Sequence, residues 1–199
     1  MTTRTRLSAP STFLRRKWEK VFYTFFDING NKSIEWNDFE ELFVKIKGLR
    51  GADSTEYKIA SDSMGMVWQG LLVATKGEDF TSDSPETESI SVKEWNELWQ
   101  TYSPEHMPIW QCTYLKYFFF LLDEGGDKLL DRKEYSNVMK IYGLSESEAN
   151  KAFDQFAVDD ETKRPADTID YGVFVKRWNE YFTSDSRHTP GSALFGPVA

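Results

Sequence analysis

Asp123, Asp127, Asp131 and Glu134 fall at positions 1, 5, 9 and 12 of one twelve-residue stretch, with apolar Leu130 at position 8. A second stretch carries Asp27, Asn29, Asn31, Glu35 and Asp38 at positions 1, 3, 5, 9 and 12, with Ile34 at position 8. Oxygen-bearing side chains at these spacings can wrap one hard cation, and calcium takes about six to eight oxygens. Position 7 gives only its main-chain carbonyl, here that of Ser33 or Leu129, so its side chain is free to vary. A single acidic run is usually solvated surface. Two copies with matching apolar flanks point to calcium coordination.

The two sets differ in ways that bear on selectivity. In loop one (27–38) the expected donors are Asp27, Asn29, Asn31, the Ser33 carbonyl, Glu35 through water, and Asp38. Aspartate at position 12 is one methylene shorter than the usual glutamate, so it reaches the ion with one oxygen and tolerates magnesium better. In loop three (123–134) the donors are Asp123, Asp127, the Leu129 carbonyl, Asp131 and a bidentate Glu134, with water filling the place of Gly125. Both loops carry lysine, Lys32 or Lys128, at position 6, where a left-handed turn costs a non-glycine residue about 1–2 kcal/mol.

Two further loops are weaker. Aligned on Ile90 and Glu94, loop two spans 83–94, with Asp83, Thr87, Ser89 and Glu94 as candidate donors; Pro85 stands at position 3 and Ser91 at position 9. It reads either as a weak site or as a structural partner for loop one. Loop four, aligned on Ile169, spans 162–173 with no carboxylate at position 1 or 12 and Pro165 at position 4. Its expected role is to complete the pair without metal.

Positioning these loops requires helices on both sides. Leu14, Trp18, Val21, Phe22 and Phe25 have helical spacing and run into Asp27, while Phe39, Leu42, Phe43 and Ile46 mark an exit helix closed by Gly48 and Gly51. Tyr57 to Leu72 and Trp95 to Tyr102 flank loop two across a polar segment from Thr75 to Ser91. Ser103-Pro104-Glu105-His106-Met107-Pro108 cannot continue a helix and reads as a linker, 103–108, between halves 1–102 and 109–182. Trp110 to Leu122 enters loop three, and Tyr135 to Tyr142 leaves it before Gly143. Ser145 and Glu148 form a capping box ahead of Ala149, Ala152, Phe153 and Phe156, and Tyr171 to Tyr181 gives the last helix. Eight helices in four pairs make an all-α chain of two lobes, with a tail from 183 to 199.

Composition narrows the function. A net charge of −8 without a long basic block argues against a nucleic-acid surface. Cys112 is the only cysteine, which excludes an intrachain disulfide and suits a packed thiol. Met1–Arg6 leads into no apolar core of a signal segment, Thr2 lacks the glycine that N-myristoylation needs, and no stretch is long enough to span a bilayer. A soluble, monomeric cytoplasmic protein without a permanent membrane anchor and without catalysis is the expectation.

Phe26-Asp27, Ile34 to Phe39, Lys93-Glu94-Trp95 and Asp131 to Tyr135 together resemble the EF-hand sarcoplasmic calcium-binding proteins of invertebrates, and within them the calexcitin group. The degenerate fourth loop before Phe174, Trp178 and Tyr181-Phe182, and the terminal Leu194-Phe195-Gly196, extend the likeness over nearly the whole chain. The resemblance implies four EF-hand units paired into two lobes in the compact calmodulin-superfamily fold. It also implies two or three calcium ions, with some sites exchanging with magnesium. The metal roles it implies fall on Asp27, Asn29, Asn31, Ser33 and Asp38, and on Asp123, Asp127, Leu129, Asp131 and Glu134. Calexcitin-like proteins are associated with neuronal calcium signalling and GTP binding. This chain has no GxxxxGK[ST] loop, so a nucleotide site is not expected.

A calcium buffer and a calcium sensor with a protein target both fit. Dispersed Met64, Met66, Met107 and Met139 lean toward a buffer, and the resemblance toward a sensor. Leu194 and Phe195 either plug a cleft between the lobes or belong to a disordered tail. A coelenterazine-type photoprotein or luciferin-binding protein is the alternative, since Trp18, Trp68, Trp99, Trp110 and Trp178 are candidates to line a cavity. Core packing is the commoner use of such spacing. The only histidines, His106 and His188, lie in the linker and the tail.

Overall fold

The computed structural model describes residues 9–198. The reading of Met1–Arg6 and Thr2 lies outside those residues. Eight α-helices form among them: α1 Thr12–Val21, α2 Trp36–Arg50, α3 Thr55–Lys76, α4 Val92–Gln100, α5 Ile109–Leu122, α6 Arg132–Met139, α7 Glu146–Phe156 and α8 Tyr171–Thr183. Four three-residue strands lie between helix partners: β1 Ser33–Glu35, β2 Ser89–Ser91, β3 Leu129–Asp131 and β4 Thr168–Asp170. The chain is therefore four helix–loop–helix units.

Local chemistry sets the helix ends. Ser11 and Ser54 accept from the N–H groups of Leu14 and Tyr57, satisfying first-turn donors of α1 and α3. Ser145 and Glu148 make the expected reciprocal box ahead of α7. Beyond Val21, α1 widens into a π-type turn through Phe22–Phe26 that buries Phe22, Phe25 and Phe26 and delivers the chain to Asp27. α2 does not stop at Gly48; it runs to Arg50 and is capped by Gly51.

The strands couple the units in pairs. β1 and β2 are antiparallel with Ile34 opposite Ile90, and β3 and β4 are antiparallel with Leu130 opposite Ile169. All four of these side chains are buried, so the position-8 residues close each pair from inside. The core is largely aromatic. Trp99 stacks on Phe182 at 3.6 Å between ring centroids, and Trp18, Trp68, Trp95, Trp110 and Trp178 are all buried.

The C-terminal segment is part of this core. After a short turn at Pro190–Ala193, Leu194 and Phe195 are 0% and 1% exposed. The Phe195 ring meets Phe25 from the segment after α1, Phe118 from α5, and Trp178 and Tyr181 from α8. Burying such a side chain contributes about 1.5–3 kcal/mol. Polar contacts fix the approach: Lys17 Nζ donates to the Ser184 carbonyl at 2.7 Å and to Ser192 Oγ at 3.1 Å, and Lys20 Nζ to the Pro197 carbonyl at 2.6 Å.

Candidate metal centres

Loop one begins where the π-type turn ends. The Asp27 N–H donates to the Phe22 carbonyl, which leaves its side chain turned into the loop that follows. Asp27 Oδ2 accepts from the Lys32 N–H at 3.1 Å, while Asp27 Oδ1 is buried without a hydrogen-bond partner. Asp38 reaches back across the loop: its Oδ1 accepts from the Asn29 N–H at 3.0 Å and its Oδ2 from the Glu35 N–H at 2.8 Å. Asn29 Oδ1 accepts from the Asn31 N–H and Asn31 Oδ1 from the Ser33 N–H, both at 2.9 Å. Asn31 Nδ2 donates to Glu35 Oε2 at 3.1 Å.

The electrostatics of loop one are unbalanced. Asp27 and Asp38 are 2% and 1% exposed. Burial pushes the Asp38 carboxyl above the usual carboxylate range; main-chain N–H groups of Asn29 and Glu35 oppose the rise, and the neighbouring Asp27 charge adds to it. Two buried carboxylates with an orphaned oxygen are costly unless a positive charge joins them. The residues present fit a cation.

Loop three repeats the same pattern. Asp123 Oδ2 accepts from the Lys128 N–H at 3.0 Å and Asp123 Oδ1 from the Gly126 N–H at 2.8 Å. Glu134 Oε1 accepts from the Gly125 N–H at 2.8 Å and Oε2 from the Asp131 N–H at 3.0 Å, as Asp38 does at the corresponding positions of loop one. Asp127 Oδ1 accepts from Leu129 N–H, and Asp131 Oδ1 caps α6 by accepting from Glu134 N–H. Lys32 and Lys128 take left-handed φ values of 73° and 68°, as their position in the loop requires, and Gly30 and Gly126 take 74° and 69° two residues earlier. From outside, Arg50 of α2 pairs with Glu124 at 2.7 Å and donates to the Leu121 carbonyl. Among the described residues no three His, Cys, Asp or Glu side chains converge as a closed cluster. Each loop instead arranges carboxylate, amide and main-chain oxygens around its own N–H groups.

Loops two and four are built differently. Asp27 stands seven positions before Ile34, and Asp123 seven before Leu130. The helix cap of unit two is Gly77, thirteen residues before Ile90, and that of unit four is Ala157, twelve before Ile169. The registers starting at Asp83 and Thr162 therefore do not coincide with the ends of the entering helices. The extra residues of loop two include a short turn at Pro85–Thr87, pinned by Trp68 Nε1 donating to the Pro85 carbonyl. Asp83, Thr87 and Ser89 are exposed, and Thr87 Oγ1 donates to the Ser84 carbonyl.

Glu94 is half-buried and already partnered. Its Oε2 accepts from Ser91 N–H and Oγ, and its Oε1 lies 3.2 Å from Lys76 Nζ. Burial would raise its carboxyl, but the Ser91 hydrogen bonds and the Lys76 ammonium outweigh that and hold it below the usual range. In unit four, Asp159 anchors a tight turn, Lys163 takes φ 59°, and Arg177 is wholly buried beneath it. Lys76 and Arg177 carry no signal in the loop spacing, because both lie outside the twelve positions of their loops.

The chain has relatives in sequence and neighbours in fold. No protein-family model matches the chain. Calexcitin-1 of Caenorhabditis elegans is 31% identical over 195 residues, covering 94% of this chain and 87% of that protein. Sarcoplasmic calcium-binding proteins I, III and IV of Branchiostoma lanceolatum are 27% identical over 139 residues, covering 66% of this chain and 71% of theirs. In fold, the chain is similar to an amphioxus sarcoplasmic calcium-binding protein, with a TM-score of 0.73, 21% identity, and coverage of 95% and 100% of the two chains.

Proposed function

We propose, from the premise that this chain belongs to the calexcitin and sarcoplasmic calcium-binding group of EF-hand proteins, that it is a calcium buffer holding one ion in loop one and one in loop three. Asp27, Asn29, Asn31, the Ser33 carbonyl and Asp38 would hold the first. Asp123, Asp127, the Leu129 carbonyl, Asp131 and Glu134 would hold the second. The observation that carries the reading is the buried, unpartnered Asp27 Oδ1 beside buried Asp38. Calcium supplies the positive charge this pair lacks; magnesium competes mainly at loop one, where Asp38 is the shorter ligand. Titration of metal-free protein against a chromophoric chelator tests it. Asp27→Asn should remove one of two sites, and an unchanged count would reject the assignment.

Buffering is favoured over sensing by the interior. Sensors expose a flexible apolar groove on binding calcium. Here Leu194 and Phe195 fill the space where rings of both halves meet, and Met64 and Met139 are buried. No described helix is long and apolar enough to cross a membrane. A monomeric cytoplasmic protein without catalysis completes this reading.

A luciferin-type ligand remains the second reading. Buried Trp99, Trp110 and Trp178 Nε1 and the Tyr117 hydroxyl have no hydrogen-bond partner among the described residues, and the Tyr114 and Tyr142 hydroxyls have only each other. Calcium-loaded apo-aequorin from Aequorea victoria shares the fold, with a TM-score of 0.60 at 16% identity and coverage of 86% and 93%. Absorbance of purified protein at wavelengths beyond its own aromatic band would favour this reading over simple buffering.

A further inference from the structure

In loop two a basic side chain stands where loops one and three present a main-chain N–H. In loops one and three, the position-12 carboxylate accepts from the N–H of position 3, Asn29 or Gly125. In loop two, the corresponding oxygen of Glu94 faces the Lys76 ammonium at the end of α3, 3.2 Å away. The other oxygen accepts from Ser91 N–H at 2.8 Å, as Asp38 and Glu134 accept from Glu35 and Asp131. Glu94 thus keeps the position-12 arrangement, with a lysine as its cation.

Unit four also holds a buried base, on its exit helix. Arg177 of α8 is 0% exposed, and its Nε and Nη2 donate to the carbonyls of Phe156 and Val158, at 2.8 and 2.9 Å. Those carbonyls sit at the C-terminal end of α7, the negative end of the helix dipole. Nη2 also pairs with Asp160 at 2.9 Å and Nη1 with Glu180 at 3.2 Å. Arg50 holds the Leu121 carbonyl and Glu124 at loop three in the same manner, so such a contact is shared by loops with and without an acid at position 12.

We infer that Lys76 is a tethered cation that stands in for the second metal of the N-terminal pair, holding unit two in the paired arrangement permanently. This rests on loops one and three being the calcium sites. Its consequence is directional. Because β2 pairs with β1 through Ile90 and Ile34, Lys76 is a positioning residue for loop one. Removing a nearby positive charge should tighten cation binding if only long-range Coulomb forces act. Loss of a tethered cation should instead weaken it, by loosening β2.

The experiment compares Lys76→Gln, Lys76→Arg and the control Lys93→Gln, which removes one positive charge from α4 at an exposed pair with Glu97. Calcium titration of Lys76→Gln should show the loop-one site weakened about fivefold, the loop-three site unchanged and no new site. Lys76→Arg should remain within about twofold of wild type, and Lys93→Gln should weaken neither site. Unchanged or tightened loop-one binding in Lys76→Gln, or a third calcium ion, would overturn the inference. Hydrogen exchange of the β1 and β2 amides in metal-free protein gives a reading that needs no calcium. It should quicken in Lys76→Gln and not in Lys93→Gln, and equal rates would overturn the inference even if wild type bound no metal.

Discussion

The Tyr135 hydroxyl donates to the Leu194 carbonyl at 2.6 Å, joining α6, the exit helix of loop three, to the C-terminal segment in the buried core. The tail is thereby a structural element. Tyr135→Phe should cost about 1 kcal/mol, the net value of one hydrogen bond, plus the penalty of the unpaired carbonyl. Phe195→Ala should cost about 3–5 kcal/mol, because its neighbours on three elements cannot collapse together. Urea unfolding measures both, and a Phe195→Ala effect within noise would show that the segment is not docked in solution.

Glu134→Gln should weaken the loop-three site at least tenfold, because it removes charge from the residue whose two oxygens span the loop. Glu94→Gln should have a smaller effect, since Lys76 already occupies Glu94. Equal losses on calcium titration would show that loop two is a working site.

Asp38→Glu should raise the preference of loop one for calcium over magnesium, since the longer side chain can offer two oxygens to the larger ion. Competition titrations in the two metals measure it. Unchanged selectivity would reject the argument from side-chain length.

Burial lowers the Lys17 ammonium to about 8 from 10.5, against the opposing pull of Asp185 and Glu180. The folded state then binds fewer protons than the unfolded chain between those values, so stability should rise with pH across that window. Below pH 8 the cost of the buried charge is fully present. Wild type should gain on Lys17→Met by no more than about 1.4 kcal/mol per pH unit, read by urea unfolding from pH 7 to 9.5. A constant difference would show that Lys17 stays charged throughout.

A Cβ at Gly70 of α3 would lie 2.4 Å from Trp110 Cβ of α5, so these helices touch at a point that only glycine allows. Gly70→Ala should destabilise by about 1–3 kcal/mol through overpacking. A neutral result in thermal unfolding would mean that α3 and α5 can separate there without cost.

Loops one and three were legible because their spacing is local: Asp27 to Ile34 and Asp123 to Leu130 span one loop each, and Ile90 and Ile169 announce the strands that pair with them. The lengths of loops two and four were not, because counting back from Ile90 assumes twelve residues, whereas α3 ends at Lys76. Of the two glycines expected to close α2, Gly51 caps it and Gly48 lies inside its last turn. A mid-helix glycine costs only about 1 kcal/mol, and buried Ile46 with half-buried Leu49 offsets it. Arg177 was invisible because its partners, Phe156 and Val158, are main-chain carbonyls about twenty residues away.

The most direct test of the account is calorimetric titration of metal-free protein with calcium, in buffer with and without millimolar magnesium. Two calcium ions should bind per chain, with magnesium blunting the loop-one site more than the loop-three site. A third ion, or no calcium binding at all, would contradict it.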